Sequence, residues 1–179
     1  AWAADRVGER GRAVTLADRA ASILDRIRVR PPRAWVAGYD AYVGVARLRL
    51  AIGEPELAEE LVSPIVAACR ACGWSDGVVD GSLVLAEAAL RRGTTAVAVV
   101  AAEHALEEAM RTGLPTVWRA HRAVAEAYRA AGDERHATEH AAEAERGFAQ
   151  VVAGIHDRAI REALVSASNG GPSSEGVER

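Results

Sequence analysis

The sequence predicts an all-α fold of antiparallel helical hairpins, and three observations carry the prediction. Half of the 179 residues are hydrophobic, yet 4% are aromatic, with one Phe and one Met. The core must therefore be built from Ala, Val, Leu and Ile, a palette that suits closely packed helices. A plan repeats along the chain: Ala46, Ala86 and Ala125 each lie seven residues before a glycine, at Gly53, Gly93 and Gly132. Val45, Leu85 and Val124 precede those alanines, and Ala58, Ala98 and Ala137 lie five residues beyond the glycines. The glycines are 40 and 39 residues apart, so the unit has the length of two helices and a turn. A degenerate fourth copy precedes them at Ala3, Ala4 and Gly11, with Ala17 displaced by one residue.

Each part of the unit has a physical reason. A glycine closing an Ala/Leu/Arg run supplies the left-handed residue that stops a helix. Glu54-Pro55, Thr94-Thr95 and Asp133-Glu134 follow as new helix starts. Two antiparallel helices approach closely where alanines cross, so Ala46 should pack near Ala58, Ala86 near Ala98, and Ala125 near Ala137. Helices are expected at about 2–9, 13–29, 33–51, 55–71, 76–92, 95–112, 115–130, 134–152 and 157–167. They group into hairpins at about 1–30, 32–72, 75–112 and 114–153.

Pro31-Pro32 closes the second helix, and Pro115 sits harmlessly at a helix start. Pro64 should kink its helix near Leu61, and Gly77 and Gly81 should weaken the one after Trp74. The last helix places Ile155, Ala159, Ile160, Ala163 and Leu164 on one stripe, as a cap on the final hairpin would. Residues 1–167 thus form one repeat domain, and 168–179, rich in Ser and Gly, form a disordered tail.

The Ala–Gly–Ala spacing resembles the tetratricopeptide (TPR) repeat, with Tyr128, four residues before Gly132, where that pattern has an aromatic. The resemblance implies a right-handed solenoid, with the first helix of each hairpin lining the concave side. The period here exceeds 34 residues and no Pro closes each repeat, so the hairpins are longer. The stretch from Val117 to Asp133, followed by Ile155 to Leu164, is similar to the last hairpin and closing helix of bacterial signal-transduction ATPases. These include LuxR-type regulators and adenylate/guanylate cyclase-like regulators. The resemblance covers about residues 30–167. It implies an ATPase module elsewhere in a longer protein, since Ala1 is no initiator and G-x-x-x-x-G-K-[ST] does not occur. With no LuxR-type helix-turn-helix after Leu164, the cyclase-like arrangement is favoured if Arg179 is the natural end.

Charge excludes further classes. The 22 basic residues, all Arg, face 25 acidic ones for a net charge of −3, which argues against direct nucleic-acid binding. The run from Ala96 to Ala102 is too short to span a bilayer, and the N-terminus is no signal peptide. A cytoplasmic location is the expectation, and two cysteines make no disulfide framework.

Candidate chemistry is sparse. Cys69 and Cys72 form a C-x-x-C at a helix C-terminus, where the macrodipole disfavours a thiolate, so they read as structural. His136 and His140 stand one turn apart with Glu139 and Glu143, a spacing that can hold zinc, but their segment reads as a solvated helix face. Neither metal nor cofactor is expected, nor any catalytic residue. Trp35, Trp74 and Trp118 should fill gaps between hairpins.

The concave groove is the candidate site. Positions thirteen, ten, six, three and two before the turn glycines give Asp40, Val43, Arg47 and Leu50; then Asp80, Leu83, Glu87, Leu90 and Arg91; then Arg119, Arg122, Glu126 and Arg129. The last arginines could clamp a carboxylate or phosphate of a ligand or partner peptide. Internal pairing, such as Arg122 with Glu126, is the competing use of the same residues. The expected function is a non-catalytic protein- or ligand-binding regulatory module of a bacterial signalling protein. The alternatives are a stand-alone scaffold or oligomerisation domain, or a metal- or redox-active helical enzyme.

Overall fold

The structure, a computed structural model, describes residues 10–28 and 38–169, with the side chains of 27, 28 and 166–169 left aside. The described residues are all-helical, with no strand among them. The helices are α1 (Arg10–Arg28), α2 (Tyr39–Ala51), α3 (Pro55–Ala71), α4 (Ser75–Arg91), α5 (Thr95–Thr112), α6 (Val117–Ala130), α7 (Glu134–Ala153) and α8 (Arg158–Asn169). The expected helix at 2–9, the start of the one at 33, Trp35, Pro31-Pro32 and the tail beyond 169 lie outside the described residues.

The turns explain the order. Gly53, Gly93 and Gly132 have φ of 84°, 74° and 84°, the left-handed conformation expected of them. Gly73 and Gly113 do the same at 70° and 66°, so a helix ends at a glycine about every 20 residues. At each, the next N–H reaches back to a carbonyl five residues earlier: Glu54 to Arg49, Trp74 to Cys69, Thr94 to Ala89, Leu114 to Ala109, and Asp133 to Tyr128, at 2.8–3.0 Å. This is the Schellman closure that satisfies the last carbonyls of a helix. Beyond Gly132, Asp133 caps α7 by accepting from the His136 N–H at 3.1 Å.

Each helix packs on its neighbours in sequence, and α2, α4 and α6 also pack on one another in series. Ala46, Ala58, Ala86, Ala98, Ala125 and Ala137 are all buried, as crossing points should be. The core runs along the stack in three clusters: Ala13, Ala17, Leu48 and Ile52 between α1 and α2, a second around Val62 and Ile65, and a third around Ala102 and Val124. Arg49, 5% exposed, ties α1 to the α2–α3 turn through Asp18 (2.6 Å) and Glu54 (2.5 Å). Burial alone would lower its pKa, but those two hydrogen bonds outweigh it and raise it.

Several expectations need correction. Pro64 falls inside α3, which is helical from Pro55 to Ala71 on both sides of it. Gly77 and Gly81 let α4 approach α3, because a Cβ on Gly77 would collide with Cys69 Sγ and one on Gly81 with Val66 Cγ2. Trp118 packs inside the last hairpin, its ring 4.9 Å from Phe148, and Trp74 stays 43% exposed beside Tyr39. Helix α8 extends to Asn169, past the expected end at 167, and does not cover the final hairpin. It touches α7 only slightly, and residues 158–163 are exposed, including Ile160. A one-sided apolar stripe establishes which face seeks cover, not what covers it.

Candidate functional site

The site is built where α2, α4 and α6 lie side by side. Asp80, on the second turn of α4, accepts on one oxygen from Arg47 Nη2 of α2 at 3.0 Å and from Arg119 Nη1 of α6 at 3.1 Å. One carboxylate therefore spans three helices. Beside it a cleft of about 110 Å³ has Leu83, Val84, Leu90 and Ala123 among its apolar wall, with Arg47, Glu87, Arg119, Arg122 and Glu126 around it. Helical spacing puts Arg119, Arg122 and Glu126 on one stripe of α6, three or four residues apart.

Of the nine residues expected in the groove, the structure brings five to this cleft and joins Asp80 to two of them. Arg91 attaches through Glu87, at 2.7 Å, and its other nitrogen donates to the Leu50 carbonyl at the end of α2, also at 2.7 Å. Arg122 lies 5.6 Å from the centre of the Trp118 ring and 3.8 Å from Glu126, the internal pair the sequence suggests. Asp40 and Arg129 are exposed, do not line the cleft, and make no ion pair among the described residues. Val43 and Leu50, also read as inward-facing, are buried core residues at 3% and 1% exposure. The nine residues carry five guanidiniums against four carboxylates, so their net charge is close to neutral. The arginine forks retain N–H groups beyond those their internal partners use, because each guanidinium offers five.

The other candidates are separated by the fold. Cys69 is buried and its thiol is pushed up to about 11, first by burial and then by Cys72, which is exposed. A thiol held protonated in this way is inert as a nucleophile at neutral pH. His136 and His140 do not act together. His136 Nδ1 faces Asp133 Oδ2 at 2.6 Å, which with the backbone N–H of His136 holds the Asp133 carboxyl below its ordinary value. His140 Nδ1 instead faces His121 Nδ1 of α6 at 2.9 Å. Among the described residues, no group of three or more His, Cys, Asp or Glu side chains is placed to hold a metal ion. None of their helices is long and apolar enough to cross a membrane.

The His121–His140 contact and the two-arginine role of Asp80 are what the sequence reading missed. Both cross between helices, 19, 33 and 39 residues apart, whereas a sequence reading sees spacings of three and four. No protein-family model matches the chain, and no curated protein matches its sequence.

Proposed function

We propose that this chain is a non-catalytic, TPR-like binding module whose groove, lined by α2, α4 and α6, receives a partner peptide or ligand. The supporting observation is the convergence of Arg47, Asp80 and Arg119, three residues from three repeats, beside one cleft. That convergence is what stacking of equivalent helices in a solenoid would produce, and it favours binding over catalysis. The cleft offers guanidinium donors and an apolar wall but no nucleophile paired with a base. Its resemblance to the repeat arrays of bacterial signal-transduction ATPases supports a regulatory role within a longer, cytoplasmic signalling protein.

The test is selection of peptides from a displayed random library against the chain, followed by titration into Arg122→Ala and Arg119→Ala variants, at two arginines that line the cleft. Both should fold like the parent and bind the selected peptides at least about tenfold more weakly, as loss of a charge-assisted contact worth about 1.4 kcal/mol requires. Unchanged affinity in both variants removes the groove from the reading. A library that yields no binder at all favours the scaffold alternative.

A further inference from the structure

His121 and His140 face each other across the α6–α7 hairpin, Nδ1 to Nδ1 at 2.9 Å, with ring centroids 5.2 Å apart and planes tilted by 34°. Both rings are half-buried. Two neutral imidazoles at this separation hold a single proton between the facing nitrogens: one Nδ1–H donates and the other Nδ1 accepts. A first added proton enters at the donor's far nitrogen, Nε2, and leaves the contact intact with charge assistance. A second must enter on the accepting Nδ1. Two N–H groups and two positive charges would then oppose each other at contact distance.

The geometry points to a proton-operated clasp: His121 and His140 hold α6 to α7 while the pair carries no more than one excess proton, and the second proton releases the last hairpin. The surroundings fit that role. On α7, Glu143 favours charge on His121 and Arg146 opposes it, and these two side chains are bound to each other. They share with His121 a cavity of about 440 Å³. Also on α7, His136 is engaged by Asp133 and by Arg135 at 2.8 Å. From α6, Tyr128 stacks near His140, with centroids 6.1 Å apart, and its hydroxyl donates to Glu103 of α5 at 2.6 Å. Glu143, the carboxylate that acts on His121, and Glu103, beside Tyr128, thus each have a partner of their own.

The direction of the effect follows. His121 binds a proton less readily than an ordinary histidine, first because it is buried and then because of His140. A histidine depressed in the folded state contributes stability that is present above its unfolded pKa of about 6.5 and is lost as pH falls through the folded value. The hairpin should loosen on acidification. The inference rests on hairpin packing alone and stands whether or not the groove binds a peptide. Arg119 and Arg122 flank His121 on α6, so release of that helix from α7 would also disturb the cleft.

The test is an imidazole NMR titration of the full chain from about pH 8 to about pH 4.5, with residue-resolved amide exchange corrected for intrinsic rates. His121 and His140 should titrate in two linked steps, and in His140→Ala the remaining His121 should titrate in one. Below the second step, exchange in α6 and α7 should rise about tenfold or more relative to neutral pH, while α3 and α4 change little. A His121→Leu/His140→Leu double variant should lose that acid response. If it folds poorly, His121→Gln serves instead, since its amide can pair with His140 in either protonation state. Independent single-step titration of both rings, or an equal acid response in the substituted proteins, would overturn the clasp.

Discussion

Replacing Asp80 by Ala is the most informative single change to the groove. The Asp80 side chain is 23% exposed, Arg47 36% and Arg119 29%, so both pairs are partly screened by water. Such pairs are worth roughly 0.5–1 kcal/mol each, well below the value of fully buried ones. Removing both, and leaving two guanidiniums that share one oxygen to repel each other, should cost about 1–2 kcal/mol. For a chain of this size that corresponds to a fall in melting temperature of roughly 2–8 °C. Asp80→Asn keeps one acceptor and should lose about half as much. Urea unfolding at low salt, monitored by circular dichroism, reads the loss, and high salt should narrow the gap between parent and variant. A double-mutant cycle with Arg119→Ala should be non-additive by at least about 0.5 kcal/mol. If Asp80→Ala unfolds at the parent's urea midpoint in low salt, the carboxylate does not link the three helices and the reasoning fails.

The helix approaches give a paired prediction. Gly81→Ala should destabilise by about 1–3 kcal/mol because its Cβ meets the stiff, buried Val66, whereas Gly44→Ala, with open space around its Cβ, should stabilise by up to about 1 kcal/mol. Denaturant midpoints of the two variants should move in opposite directions; movement the same way would contradict the α3–α4 packing. Thiol labelling of the native chain at neutral pH should modify Cys72 and spare Cys69, with both reacting in urea. Fast labelling of both in the native state would place Cys69 outside the core. Gly93→Ala, at φ 74°, should cost about 1 kcal/mol through backbone strain alone, since nothing lies near its Cβ. A melting curve that matches the parent's would show that this turn does not need a left-handed residue.

What could be read from sequence was what repeats. Gly53, Gly93 and Gly132 marked three turns because an Ala/Leu/Arg run preceded each and a new helix start followed. Gly73 and Gly113 fall outside that plan, because Val66 and Val78 around one and Leu106 and Trp118 around the other stand where the plan has alanines, although the glycine spacing of about 20 residues carries the same information. Helical spacing brings Arg47, Glu87, Arg119, Arg122 and Glu126 to one cleft, with Asp80 joined to two of them, since equivalent positions of adjacent helices fall on one side. The same spacing does not bring Asp40 and Arg129 there, and it places Val43 and Leu50 in the core, where α3 and α4 cover α2. The His121–His140 contact was not legible for a different reason. Within one helix, spacing determines neighbours, but across a turn the register depends on how the glycine and its flanking residues set the crossing. The seat of α8 was illegible too, since amphipathicity names a face and not its partner.

The proposed function requires α2, α4 and α6 together to present one binding groove. Amide chemical-shift mapping, with a library-selected peptide titrated into the labelled chain, tests it most directly. Saturable shifts are expected to concentrate at Arg47, Asp80, Glu87, Arg119, Arg122 and Glu126, with the outer faces of α3, α5 and α7 unmoved. Shifts confined to those outer faces, or a selected peptide that binds without perturbing the cleft, would contradict it.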